Sequence, residues 1–145
     1  MSTGHHQIIM NFNFPPSIDD FEVIASEIAE NFPEEFEGME EKLVIEVEDI
    51  PDDLILSDNN IEDCYELLAL LKPGNELEPG VNKTNSDDDD VLVLYRRPIL
   101  DYWCEEGEDL PQLIRRIMIE EIARYKDFSE EEIEEILLRH HQGML

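Results

Sequence analysis

The run from Leu110 to Tyr125 constrains this chain more than any other. Turned at about 100° per residue, Leu110, Leu113, Ile114, Ile117, Met118, Ile122 and Tyr125 share one helical face. A helix with so wide an apolar stripe must cover a sheet or other helices. Glu121 falls near the middle of that face, Arg124 within it and Glu120 at its edge. A charge inside an apolar stripe has to be paired, hydrated or functional.

Other elements can be placed around this helix. Ser17 is an N-cap, with Asp19 and Asp20 in the first turn and Ile18, Phe21, Ile24, Ala25 and Ile28 at helical spacing. This predicts a helix over 17–31, ending near Phe32-Pro33, with a further helical turn over Glu34–Met39. Two β-branched runs predict strands over 42–48 and 91–96, the second ended by Arg96-Arg97-Pro98. Ile61–Leu71 reads as a short helix or an irregular packed segment. Asp109 caps the helix over 109–126, with Pro111 in its first turn. Ser129 and Glu132 form a capping box for a last helix, whose apolar side is Ile133, Ile136 and Leu137. Residues 1–16 read as a flexible leader, 17–145 as one domain, and 75–90 as an exposed acidic loop.

Charge narrows the function. The formal net charge is −28, and residues 1–90 carry 25 acidic but only 3 basic residues. Such a chain repels phosphate backbones and anionic membranes, so neither nucleic acid nor membrane is an expected partner. It attracts cations and basic proteins, and it suits solubility or high salt. Cys64 and Cys104 show no paired-cysteine pattern and read as reduced thiols of a cytoplasmic protein. No secretory signal and no apolar run of roughly 18 residues is visible. His5-His6 read as a disordered end or a tag remnant, and His140-His141 as a frayed polar end. Asp87–Asp90 lack the spacing and Gly of a calcium loop and read as a solvated tip. Tyr102 and Trp103 read as packing aromatics.

Two segments carry a resemblance. One is Val93-Leu94-Tyr95-Arg96-Arg97-Pro98-Ile99, and the other runs from Leu110 through Ile114-Arg115-Arg116-Ile117-Met118-Ile119-Glu120-Glu121-Ile122-Ala123. Together they resemble the small bacterial zincin-like metallopeptidases, in which a strand ending Leu-Tyr-Arg-x-Pro leads to a helix bearing His-Glu-x-x-His. The likeness is strong over 91–137 and looser over 17–72. Leu67-Leu68-Ala69-Leu70-Leu71 lacks the Gly and Tyr of the corresponding family segment. In that family two imidazoles one turn apart grip zinc, a third ligand leaves one position for water, and the Glu acts as general base.

The resemblance places Glu121 at the general-base position. Glu120 and Arg124 stand at the two His positions, Asp127 at a Gly position and Glu130 at the third ligand. A guanidinium has no lone pair for a metal and is always cationic. The metal set is therefore expected to be empty and no cofactor is expected. Two arrangements are open for the trio: an internal ion pair replacing the metal, or a helix-surface salt-bridge cluster at a wet cleft. Tyr95, Arg96 and Arg97 either line a cleft or bridge to the acidic surface.

The fold expected is α+β, a minimal zincin-like architecture with a small mixed sheet packed by helices. The leading expectation for function is a zincin-like homologue without its zinc ligands, uncertain as an enzyme, that binds a peptide or protein. One alternative is an active peptidase using Mg²⁺, Mn²⁺ or Ca²⁺ on Glu120, Glu121 and Glu130, which Arg124 opposes. The other is an acidic interaction protein that binds a basic partner through 75–90.

Overall fold

A computed structural model describes residues 15–36, 43–74 and 90–143, with side chains to residue 139. Residues 1–14 of the expected leader, most of the 75–90 loop, Met39, Lys42 and the His140-His141 side chains lie outside the described residues. The fold is α+β. Its elements are α1 (Ile18–Glu30), β1 (Leu43–Glu48), α2 (Asp53–Asp58), β2 (Ala69–Lys72), β3 (Asp90–Tyr95), α3 (Arg96–Glu106), α4 (Leu110–Tyr125) and α5 (Glu130–Gly143). Short 3₁₀ turns occupy Glu34–Phe36 and Cys64–Glu66.

The predicted capping box at Ser129 forms, and the predicted N-cap at Ser17 is a capping box too. Ser17 accepts from Asp20 N–H while Asp20 accepts from Ser17 N–H, and Ser129 with Glu132 does the same. Asp109 accepts from Gln112 N–H to start α4. These bonds satisfy helix N–H groups that have no intrahelical partner.

The sheet has the order β1-β3-β2. β1 runs parallel to β3, with Val47 opposite Leu94, and β2 runs antiparallel to it, with Leu71 opposite Leu92. The central strand is buried from Leu92 to Tyr95. Side chains alternate along a strand. Ile45, Val47, Ala69, Leu71, Leu92 and Leu94 therefore face one side, where they join a core with Phe21, Ala25, Leu113, Ile117 and Ile122 of α1 and α4. Ile133 and Ile136 bring α5 into the same core. Val93 and Tyr95 face the other side.

The connection from β1 to β2 starts and returns at the end of the sheet where β3 finishes. Arg97 N–H bonds Asp49 C=O at 3.0 Å, and Tyr95 N–H bonds Leu68 C=O at 2.9 Å. This segment holds α2 and the Cys64–Glu66 turn.

Two expectations change, and one element is new. The end of Ile61–Leu71 is not helical, because Ala69–Lys72 pairs with β3 and is the third strand. Arg96-Arg97-Pro98 ends the strand but also begins α3, since proline is tolerated in a first turn. α2 forms a short helix capped by Asp52, which accepts from Ile55 N–H. Leu94→Ala should cost about 2–5 kcal/mol in urea unfolding, whereas Val44→Ala on the half-exposed edge of β1 should cost under about 1 kcal/mol.

Candidate functional site

α4 buries Leu110, Leu113, Ile114, Ile117, Met118, Ile119, Ile122 and Ala123. Ile119 and Ala123 take the place expected for Arg124 and Tyr125, which are both exposed. The buried face is thus turned from the expected one, and Glu121 lies at its margin. Its side chain is 22% exposed.

Glu121 reaches the sheet. One carboxylate oxygen accepts from the backbone N–H of Leu71 on β2 at 3.1 Å. That N–H belongs to β2, an edge strand whose outer groups have no strand neighbour among the described residues. The other oxygen lies 3.5 Å from Arg124 Nη1. Burial raises the Glu121 carboxyl above the ordinary glutamate pKa, while the Leu71 N–H and the Arg124 charge pull it back down without cancelling the rise.

Glu120, at the first ligand position, is held on both sides. Arg116 lies 3.8 Å from it and Arg124 3.9 Å, each at i,i+4 spacing. Arg116 also meets Glu108 at 3.2 Å and stacks over Tyr102, 5.9 Å from the ring centroid. The result is a ladder of alternating charge along α4. The Arg124 side chain is 55% exposed. The ion pair is therefore not a fully buried one, and removing Arg124 should cost about 1 kcal/mol or less rather than the 3–5 of a buried pair.

The turn after α4 has a specific geometry. Asp127 takes a left-handed backbone with φ +63°. Its N–H bonds Arg124 C=O at 3.0 Å, and Phe128 N–H bonds Ala123 C=O at 3.0 Å. This is the Schellman pattern, which most often uses glycine at the left-handed residue. A Gly position in the family pattern falls at the one residue of this turn that needs such a backbone. Glu130, the third-ligand position, opens α5 and is exposed. Among the described residues, no group of three or more His, Cys, Asp or Glu is placed to hold a metal ion.

Tyr95, Arg96 and Arg97 sit at the end of β3 and the start of α3. Tyr95 is fully buried and projects from the sheet face opposite the main core. Burial, then the charges of Glu48, Asp52 and Glu46, pushes its phenol up to about 12, so it stays protonated at neutral pH. Arg96 donates to Pro16 C=O at 2.7 Å and to Asp49 at 2.9 Å. Arg97 lies 3.6 Å from Asp49. The structure thus brings Glu120, Glu121 and Arg124 together and places these three elsewhere. Sequence reading missed Leu71 as a partner of Glu121, which lies 50 residues away with nothing local to mark it. Arg116 could have been found from its i,i+4 spacing to Glu120.

What can this cluster do? The Leu71 N–H and the Arg124 guanidinium each favour the charged carboxylate of Glu121, while burial favours its protonated form and outweighs them. The donor set does not fit zinc, since Arg124 has no lone pair to offer and its charge opposes a cation beside it. No helix among the described residues is long and apolar enough to cross a membrane.

A family model described as zincin-like metallopeptidase matches residues 40–140. No curated protein matches the chain. The matched span covers the whole sheet, α3, α4 and most of α5.

Two outcomes test the geometry. Asp127→Gly should raise the melting temperature by about 2–4 °C, a gain of about 1 kcal/mol, by relieving the left-handed backbone. Glu121 has a folded pKa above its unfolded value, so its charged form costs stability. That cost is complete above the folded pKa and is lifted as pH falls from there through about 4.5, the ordinary glutamate value. Glu121→Gln keeps an acceptor for Leu71 N–H. It should be at least as stable as the parent near pH 7, with the difference shrinking at about pH 4 in paired denaturation curves.

Proposed function

The chain belongs to the zincin-like metallopeptidase family, and on that premise we propose that it is a member without zinc-dependent hydrolysis. In this reading the surface beside Glu121 is a binding site for a peptide or a protein. The observation that carries the reading is the engagement of Glu121: it accepts from Leu71 N–H at 3.1 Å and lies 3.5 Å from Arg124. In the zinc mechanism the general base takes its proton from a metal-bound water, and without a Lewis acid beside it that water keeps a pKa far above neutral. Arg124 supplies the positive charge of a metal but neither an exchangeable position nor a polarised water.

The same geometry weighs against a carboxylate metal site. Glu120 is flanked by Arg116 and Arg124, and Glu121 by Arg124. A hard cation would have to displace both guanidinium groups before it gained its oxygen ligands.

What is retained supports binding. The left-handed turn at Asp127 and the contact of α4 with β2 leave the open edge of the sheet beside Glu121. Edge strands take up extended peptides by main-chain hydrogen bonds. Here Glu121 already occupies one outer N–H of β2, so a peptide would have to pair beside Leu71 or displace the carboxylate.

Zinc titration of the protein by calorimetry should show no tight one-to-one binding. Glu120→His combined with Arg124→His should gain it, because the helix and the turn supply the remaining geometry. Tight stoichiometric zinc in the parent protein, lost in Glu120→Gln, would overturn the proposal.

A further inference from the structure

A second surface is independent of the Glu121 site. Between the first half of α4 and α5 lies an open groove of about 730 Å³. That is roughly the volume of one to two turns of a helix about 10 Å across. Its lining is mainly apolar, with Leu137 and Leu138 contributed by α5. Leu138 is 61% exposed, a large aliphatic side chain mostly in water.

The two walls carry the same sign. Glu108 and Asp109 stand on the α4 side, and Glu131, Glu134 and Glu135 on the α5 side. Glu131, Glu134, Glu135 and Leu138 follow at three- and four-residue spacing, so they form one face of α5, away from the core face of Ile133 and Ile136. Of the two cations at the groove, Arg116 is bound to Glu108.

Arg115 is different. Its Nε and Nη1 atoms are closed off from solvent and have no hydrogen-bond partner among the described residues. Burial lowers its pKa, and the charge of Asp109 offsets part of that. Unsatisfied N–H groups of a guanidinium are costly to keep. They gain acceptors if a docked chain presents carbonyl oxygens here and the guanidinium swings towards them.

We propose that the α4–α5 groove docks a basic amphipathic helix, whose apolar side chains cover Leu137 and Leu138 and whose Lys or Arg residues meet the two acidic walls. The C-terminal carbonyls of such a helix carry partial negative charge and no intrahelical partner, so that end lies at Arg115. Charge complementarity selects the occupant: with Glu108 already paired to Arg116, an acidic or neutral segment would leave Asp109, Glu131, Glu134 and Glu135 without a countercharge around a desolvated apolar contact. Helix-in-groove recognition of this kind reads apolar anchors at helical spacing.

The probe is a synthetic peptide of about 14 residues made only of Leu and Lys, with the leucines on one helical face. Its controls are a scrambled Leu/Lys order and the same pattern with Glu in place of Lys. Binding is followed by calorimetry at about 0.15 M salt, and the contact site by backbone amide shifts in NMR. The patterned Lys peptide should bind, shift residues 110–116 and 131–138, and exceed the scrambled peptide in affinity by on the order of tenfold. Glu134→Lys with Glu135→Lys should weaken it by a similar factor. Glu22→Lys with Glu27→Lys makes the same change of net charge on exposed α1 positions and should weaken it less than about threefold. Leu138→Asn should also weaken it, with circular dichroism unchanged.

Equal loss in the groove and α1 pairs would reduce the effect to general attraction by an acidic surface and overturn the proposal. Equal binding of the scrambled peptide, or shifts confined to other residues, would overturn it as well.

Discussion

β3 is the constraint on which the rest of the structure depends. A sheet of three strands has only one interior strand, and here it is buried from Leu92 through Tyr95 on both faces. A strand buried in this way needs cover above and below, and neighbours on both sides for its backbone groups. α1 and α4 cover the Leu92 and Leu94 face. The pairing with β1 and β2 satisfies the backbone, and the β1–β2 connection bonds Tyr95 at the end of the strand and Arg97 in the first turn of α3. The apolar stripe of α4 follows from this requirement. The helix closes the core, since each fully buried Leu or Ile it contributes is worth about 1.5–3 kcal/mol over exposure.

So small a sheet leaves two of its three strands as edges. Exposed edges invite pairing with other chains, and charge is a common way to discourage it. β1 places Glu46 and Glu48 outward and exposed. β2 is protected differently, by Glu121 reaching from α4 to Leu71 N–H. Among the described residues, Arg96, Arg97, Arg116 and Arg139 join ion pairs that tie separate pieces of an acidic chain together, while Arg124 pairs within α4. Arg96 joins α3 to Asp49 and to the carbonyl of Pro16, so the end of the expected leader is packed rather than loose. Arg139 joins α5 to Glu35. In a molecule of net charge −28 these few cations act as cross-links, and their positions matter more than their number.

The parts legible in the sequence were those with a local signature. The N-cap at Ser17, the capping box at Ser129, the β-branched runs of β1 and β3 and the period of α4 each declare themselves within a few residues. β2 did not, because Leu67-Leu68-Ala69-Leu70-Leu71 is made of good helix formers and becomes a strand only by pairing with β3. α3 was hidden by Pro98 and by an N-cap, Tyr95, that makes no side-chain cap. α2 is too short to show a period, though its cap at Asp52 was readable. At the site, the trio Glu120, Glu121 and Arg124 was legible from helical spacing, including both ion pairs. Its burial was not. The stripe turns towards Ile119 and Ala123, and a helical wheel cannot tell which side of a broad apolar face a sheet will cover.

Retention of Glu121 is therefore weak evidence for retained chemistry. A carboxylate at a general-base position is usually read as a catalytic remnant. In this chain the same side chain satisfies a backbone N–H on an edge strand and neutralises a guanidinium, and either task is enough to hold a Glu in place. Asp127 supports a parallel argument. Its left-handed backbone is strained for a residue with a Cβ, yet the turn persists because Arg124 and Ala123 carbonyls are bonded there and Phe128 packs against Phe36. Folding alone thus accounts for both features. What separates the two explanations is Arg124, the one residue of the trio whose chemistry no metal site can use.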